Sequence, residues 1–217
     1  MYKKFEVLSE EKQIRIINAA FNEFAYKQFK EASTDEIAMN AGISKGALFQ
    51  YFGTKKQLYS YIYNYGYKIL ETEIYGQMNF LNPDLIDCLK EILSIKMRLY
   101  FKYPMLFDFI LFSHTKENDV NVKALINSDV DIQNTEIYKK IYSNIDYSKF
   151  KIGLDAKHVV SIITWTVEGY SNSVLTKLKQ ESLSNEKYIQ CFEEFESYMK
   201  TLKKAFYKEV KQHGKRN

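Results

Sequence analysis

The segment from Ser33 to Lys56, STDEIAMNAGISKGALFQYFGTKK, constrains the fold of this chain more than any other. Ser33 and Glu36 have the spacing of a capping box, in which a hydroxyl and a carboxylate each accept a main-chain amide where a helix begins. Gly42 then supplies the left-handed residue that ends this short helix. A second helix is predicted over Lys45 to Phe52, so the segment should form a helix-turn-helix.

The second predicted helix has features suited to DNA. Ser44 is placed to cap it, with Leu48 and Phe52 facing inward. Glycine in a helix costs roughly 1 kcal/mol relative to alanine, so Gly46 indicates close approach to another surface. The outer face would carry Lys45, Gly46, Ala47, Phe49 and Gln50. The amide of Gln50 can bond N6 and N7 of adenine. Donors suited to flanking phosphates follow it: Tyr51, Thr54, Lys55 and Lys56.

Three runs of residues, IINAAFNEFA, TDEIAMNAGISKGALFQYF and KKQL, closely resemble the N-terminal domain of tetracycline-repressor-type (TetR/AcrR) transcriptional regulators. The resemblance covers about Glu11 to Tyr61. It implies that bases are read by Lys45, Gly46, Phe49 and Gln50. It implies that the DNA backbone is followed by Thr34, Ala47, Tyr51 and Lys55, with Ser44 capping the reading helix. Family members often have threonine at the position of Ala47 and tyrosine at that of Phe49, so two phosphate-binding hydroxyls are absent here.

The composition favours a helical protein. Among 217 residues there are only 8 Gly and 2 Pro, too few for a turn-rich β architecture. This composition predicts an all-α fold, and the resemblance adds an N-terminal three-helix DNA-binding domain at residues 1–54. Residues 55–217 would form a helical domain for effector binding and dimerisation. The net charge of +4 is compatible with nucleic acid but does not demand it.

The segment after the helix-turn-helix is open to two interpretations. Tyr59, Tyr61, Tyr63, Tyr65 and Tyr67 alternate, which taken alone is a strand signal. The stripe of apolar residues at helical spacing through this region instead favours a helix over 55–75. In the resembling family this helix connects the DNA-reading head to the body.

The last two predicted helices carry seams of apolar residues at steps of three and four. The seams can pack against each other within one chain, or two copies can form a four-helix bundle. We expect a homodimer whose interface includes Val160, Ile163, Val167, Val174, Phe195, Met199, Leu202 and Phe206.

An effector pocket in the body is a further expectation, because aromatic walls are typical of ligand sites. Its candidate residues are Met97, Tyr100, Phe101, Phe109, Phe112, Tyr138, Trp165, Glu168 and Tyr170. Side chains like these more often belong to a filled core, and periodicity does not separate a pocket wall from an interior. A buried Glu168 would favour a cationic or hydrogen-bonding effector, whereas a solvated one would not.

Other chemistry finds no support. His114, His158 and His213 are scattered, and no metal spacing, glycine-rich phosphate loop or nucleophile elbow appears. We therefore expect neither an enzyme, nor a metal, nor a cofactor. Cys88 and Cys191 read as reduced thiols of a cytoplasmic protein. No signal peptide or membrane span is evident.

The leading hypothesis is a ligand-responsive repressor that binds a palindromic DNA operator as a homodimer. Its effector would be a small hydrophobic or cationic molecule. Two alternatives stay open: a helix-turn-helix protein that binds DNA without any effector, and an all-α interaction or enzyme module whose turn motif is incidental.

Overall fold

The computed structural model describes residues 2–126, 135–180 and 185–209. It confirms the all-α expectation, because this part of the chain contains helices and no strands. The helices are α1 (Lys3–Glu6), α2 (Glu10–Tyr26), α3 (Thr34–Asn40), α4 (Lys45–Phe52), α5 (Lys55–Leu70), α6 (Leu85–Lys102), α7 (Leu106–Thr115), α8 (Val120–Lys123), α9 (Thr135–Asn144), α10 (Ala156–Gln180) and α11 (Asn185–Phe206). The sequence also predicts a helix from Val122 to Asn144 and a polar loop from Gln180 to Asn185, and the parts of them at residues 127–134 and 181–184 lie outside the described residues.

The contacts of the chain divide it into two compact units. The first contains residues 1–78 and 94–138, and the second contains residues 79–93 and 139–217. The sequence predicts a different division, at residue 54, between a DNA-reading head (residues 1–54) and a body (residues 55–217). That division concerns function, and it stays a prediction. None of the described helices is long and apolar enough to cross a membrane.

The first unit is built on α2, whose apolar stripe is buried. Ile17, Phe21 and Phe24 have no exposed surface, as the spacing of three and four residues predicts. Phe109 of α7 packs its ring against those of Phe21 and Phe24, with centroids 5.3 and 6.2 Å apart. Aromatic packing of this kind fixes α7 along α2 and gives the unit its core.

The alternating tyrosines lie on a helix, α5, that ends in a π-helical turn, Glu71–Tyr75. Tyr59 and Tyr63 are buried on one face, whereas Tyr61 and Tyr65 are half-exposed. Gly66 allows α5 to pack closely, because a Cβ there would lie 2.9 Å from a methyl of Leu106. The helical interpretation of this stretch is therefore confirmed.

A short N-terminal helix, α1, was not predicted. Its Phe5 is fully buried, and its ring lies 4.8 Å from that of Phe52 and 5.4 Å from that of Tyr61. One apolar side chain in a charged segment was the only sequence signal. Burying a phenylalanine contributes about 1.5–3 kcal/mol, enough to hold α1 against α4 and α5.

The second unit contains the two long C-terminal helices. Ile163 and Val174 of α10 and Phe195 and Met199 of α11 are buried, so the two seams lie inside the unit. Also in this unit, Asp84 lies just before α6 and accepts hydrogen bonds from the main-chain amide of Asp87 and the Tyr207 hydroxyl, both 3.2 Å away. Burial disfavours the charged form of Asp84, but the Asp87 amide and nearby lysines outweigh it, and the pKa of this carboxyl is lowered.

Candidate nucleic-acid interface

Helices α3 and α4 and their turn form the predicted helix-turn-helix. Gly42 has φ 65°, and the main-chain amide of Ile43 donates to the carbonyl of Ala38 at 3.0 Å. This is the left-handed ending expected of a glycine C-cap. Arg15 of α2 donates from Nε to the carbonyl of Ala41 at 3.2 Å, which ties the turn to the helix behind it. The angle between α3 and α4 is therefore held from two sides.

The start of α3 differs from the predicted capping box. The Ser33 hydroxyl accepts from the amide of Glu36 at 3.4 Å, as predicted. The amide of Ser33 does not donate to the Glu36 carboxylate, because it donates to that of Glu23 in α2 at 2.7 Å. The Glu23 carboxylate is 5% exposed and is also bound by Lys27 at 2.9 Å. A buried carboxylate that accepts two charge-assisted or main-chain bonds outcompetes an exposed one.

The N-terminal edge of α4 is open to solvent. The Ser44 hydroxyl accepts from the amide of Ala47 at 3.1 Å and caps the helix. Lys45, Gly46 and Gln50 are exposed. A Cβ added to Gly46 would have only the Ser44 hydroxyl, 3.9 Å away, as a neighbour. The packing of the chain itself therefore does not require a glycine at this position.

The Lys45 ammonium lies 2.8 Å from the carboxylate of Asp35, the second residue of α3. Both side chains are more than half exposed, so the pair is weak, contributing about 0–1 kcal/mol. Asp35 was not among the predicted site residues. Its carboxylate places a negative charge beside the N-terminal edge of α4, so an anion that binds Lys45 there would have to displace Asp35.

Lys55, at the start of α5, points back into the head. Its ammonium donates to the carbonyl of Lys30 at 3.3 Å and lies 4.8 Å from the centre of the Phe29 ring. Burial lowers the pKa of Lys55, and the carboxylates of Glu23 and Glu117 oppose that shift. Lys56, next to it, is exposed. Of the two lysines, Lys56 has the freer ammonium for a phosphate contact.

The other predicted DNA-binding residues lie on α3 and α4. Ala47, Phe49 and Tyr51 are half-exposed on α4, and the ring of Tyr51 also touches Phe5. Thr34 is 9% exposed at the start of α3. Ser44 and Lys45 to Ala47 thus lie at the N-terminus of α4, where main-chain amides and the helix dipole favour an anion, whereas Tyr51 lies in its last turn and Thr34 and Lys55 lie on other helices.

The residues predicted for an effector site are divided between the two units. In the first unit Met97, Tyr100 and Phe109 are buried, Phe112 and Tyr138 are half-buried, and Phe101 is 44% exposed. In the second unit Trp165 is 68% exposed and Glu168 is exposed, so the argument from a buried Glu168 carboxylate does not apply. The Tyr170 hydroxyl donates to the carbonyl of Cys191 at 2.6 Å. Phe109 belongs to the aromatic core described above.

Five of the eight residues predicted for a dimer interface are buried within the single chain: Ile163, Val167, Val174, Phe195 and Met199. Val160, Leu202 and Phe206 are half-buried. Among the side chains whose burial is described, the large apolar ones that α10 and α11 leave exposed are different: Ile162, Trp165, Ile189 and Tyr198. On α11 an open groove of about 420 Å³ is lined by Ile189, Phe192, Glu193, Glu196 and Lys200. Helical periodicity predicted the apolar seams of α10 and α11, but it did not predict which side of each helix is covered by a neighbour.

The His, Cys, Asp and Glu side chains of the described ranges are dispersed with respect to metal binding. No group of three or more His, Cys, Asp or Glu side chains comes together there in a way that could bind a metal ion. Cys88 is buried and Cys191 half-buried, and both are free thiols. Burial raises the pKa of Cys88 to about 11, so its unreactive thiol form predominates at neutral pH.

Comparison with known proteins agrees with this geometry. Residues 16–62 match the profile of the family described as bacterial regulatory proteins, tetR family. A solved TetR family transcriptional regulator from Chloroflexus aurantiacus J-10-fl aligns over 95% of this chain and 98% of its own, with 18% identity and a TM-score of 0.53. The ketosteroid transcriptional regulator KstR2 of Mycobacterium tuberculosis aligns over 93% and 97%, with 12% identity and a TM-score of 0.59. A search of curated protein sequences finds no match. At these identities the two structures show a shared fold.

Proposed function

Because this chain belongs by its N-terminal segment to the tetR family of bacterial regulatory proteins, we propose that it binds DNA and regulates transcription. Two copies place Lys45 to Tyr51 in successive major grooves of a palindromic operator, with the reading heads about 34–36 Å apart. The protein acts as a ligand-responsive repressor in the cytoplasm and catalyses no reaction.

The observation that carries this proposal is the open edge of α4. Its capped N-terminus presents Lys45, Gly46 and Gln50 to solvent, and among the described side chains a Cβ at Gly46 would come within 4 Å of the Ser44 hydroxyl alone. Unsatisfied amides of a helix N-terminus suit phosphate, and Gln50 suits adenine. A solvated helical corner without a partner would gain nothing from glycine here, since alanine would make the helix more stable.

The functional division of the chain follows from this role. Residues 1–54 form the reading head, and 55–217 form the body for effector binding and dimerisation. The stretch 55–75 connects them. A small hydrophobic or cationic effector is held by body residues among those considered above. It induces transcription only if it binds the non-DNA-binding state more tightly, and the difference equals the coupling free energy.

Dimerisation is proposed to use the exposed apolar side chains of α10 and α11. Ile162, Trp165, Ile189 and Tyr198 are each at least 41% exposed. Large aromatic and aliphatic side chains on a helix pair are the usual centre of a homodimer interface. The buried seam residues then act indirectly, by holding α10 and α11 together so that this surface is presented.

Titration of a fluorescent duplex from the chain's own upstream region, at several salt concentrations, tests the proposal. Gln50→Ala should relax base preference at one position by about 1–3 kcal/mol. Lys56→Ala should weaken binding to all sequences and flatten the logarithmic salt slope by about one. Lys55→Ala discriminates between two roles for Lys55. A phosphate contact would flatten the slope equally, whereas a purely internal bond to Lys30 would lower affinity without changing the slope.

Failure of the unmodified protein to bind this duplex, and any duplex selected from a random pool, would refute the proposal. So would an unchanged base preference in Gln50→Ala.

A further inference from the structure

The loop that joins α2 to α3, residues 27–33, is held by hydrogen bonds from three different parts of the first unit. The amide of Ser33 donates to Glu23 of α2, and the carbonyl of Lys30 accepts from Lys55 of α5. The third bond is made by Phe29, whose amide donates to Glu117 at 2.7 Å. Glu117 lies 88 residues further along the chain, just after α7.

The Glu117 carboxylate is built into this position. Its side chain belongs to a residue only 2% exposed. One oxygen accepts from Phe29, and the other accepts from the amides of Asn118 and Asp119 at 2.9 and 2.8 Å. Three main-chain donors converge on one carboxylate, so an uncharged amide side chain cannot satisfy all of them. Burying a charged carboxylate is costly unless it is hydrogen-bonded, and these three main-chain donors offset that cost.

Neighbouring contacts extend the same connection. Asp119 lies 3.7 Å from the ammonium of Lys30. Along the last turn of α7 the Ser113 hydroxyl accepts from Tyr59 at 2.8 Å, and His114 is bonded to Tyr63 at 2.8 Å. The end of α7 and the residues after it therefore bind both α5 and the loop before α3. The ring of Phe29 in this loop also packs edge-on against the ring of Tyr59, so the loop and α5 contact each other directly.

We propose that Glu117 is a positioning residue for DNA binding: it anchors the α2–α3 loop to the end of α7 and so fixes the orientation of the helix-turn-helix. This inference rests on the proposed function and adds to it the residue through which α7 acts on the head. A shift of α7 that withdraws Glu117 frees the Phe29 amide. The head then samples orientations that do not fit a groove, and the apparent affinity for DNA falls in proportion to the competent fraction.

The test uses Glu117→Gln, which keeps the size of the side chain, with Glu117→Ala as a second variant. Hydrogen exchange of the DNA-free protein is measured over residues 27–33. Affinity is measured for a duplex that the unmodified protein selects from a random pool. Asp84→Asn is the matched control, because Asp84 is also a buried carboxylate that accepts a main-chain amide, but in the second unit.

We expect exchange in the loop to become about tenfold faster or more, since one bond to a charged acceptor is lost. Affinity for the selected duplex should fall by a similar factor with an unchanged salt slope, because no phosphate contact is removed. In Asp84→Asn, the loop exchange rate and the affinity for the duplex should both stay within about twofold of the unmodified protein. This should hold even if its melting temperature falls as far as that of the Glu117 variants.

Unchanged loop exchange in both Glu117 variants would overturn the anchor itself. Faster exchange with unchanged affinity would overturn only the role in DNA binding, as would an equal loss of affinity in Asp84→Asn. A protein that selects no duplex at all would instead overturn the proposed function, and that result is distinct from the exchange measurement.

Discussion

Replacing Gly46 with alanine should move stability and DNA affinity in opposite directions. In the free protein the new methyl group has a single neighbour, the Ser44 hydroxyl, at 3.9 Å. That is ordinary van der Waals contact, so no strain is introduced. Alanine is the better helix former by about 0.5–1 kcal/mol. For a chain of this length the melting temperature should rise by about 1–4 °C.

On DNA the same methyl group meets the duplex. If the edge of α4 lies against the sugar–phosphate backbone and base edges, the methyl must push the helix outward. Overfilling a packed contact costs about 1–3 kcal/mol, which corresponds to a loss of about tenfold to a hundredfold in affinity. The combination of a more stable protein and a weaker complex is hard to produce by any general damage to the fold.

The assay pairs a thermal melt with a fluorescence anisotropy titration of the operator duplex. Asn64→Ala is the matched control, because Asn64 is exposed on α5 and alanine also improves helix propensity there. The control should gain stability and keep its affinity. If Gly46→Ala bound DNA as tightly as the unmodified protein, the edge of α4 would not face the groove and the reasoning would be refuted.

Two further predictions concern charge. Asp35→Asn should raise affinity for all duplexes several-fold and steepen the salt slope, because it removes a carboxylate and frees Lys45, 2.8 Å away, for phosphate. A fall in affinity would instead mean that the pair positions Lys45. Burial lowers the pKa of His114 below its usual 6.5, so the unfolded chain binds more protons and stability is lost as pH falls from about 6.5 towards the folded-state value. Melting temperatures measured from about pH 5 to 7.5 should therefore depend on pH less steeply in His114→Gln, and an equal slope would contradict this.

The helix-turn-helix was readable from the sequence because its signals are local. A capping serine, a left-handed glycine and a second capping serine act within a few residues of where they lie, so Ser33, Gly42 and Ser44 take the roles predicted for them. The burial of Phe21 and Phe24 was likewise predictable from the period of α2. The same reasoning resolved the alternating tyrosines in favour of a helix.

Contacts that depend on distant partners could not be read from the sequence. The reciprocal half of the capping box is displaced by Glu23, ten residues away. Lys55 turns towards Lys30 and Phe29, which no spacing rule connects to it. The seam residues Ile163 and Phe195 pack inside their own unit, while Trp165 stays outside. Helical periodicity identifies an apolar face but does not say which neighbour covers it.

Sequence alone therefore determined the helical class, the position of α4 and the residues along its outer edge, since capping and turn chemistry act over one helical turn. Only the tertiary structure decided which long-range contacts hold that edge in position. The three bonds that hold the loop before α3 come from residues up to 88 positions away. Bonds of such range depend on how the helices pack together, and the order of residues within any single helix does not encode them.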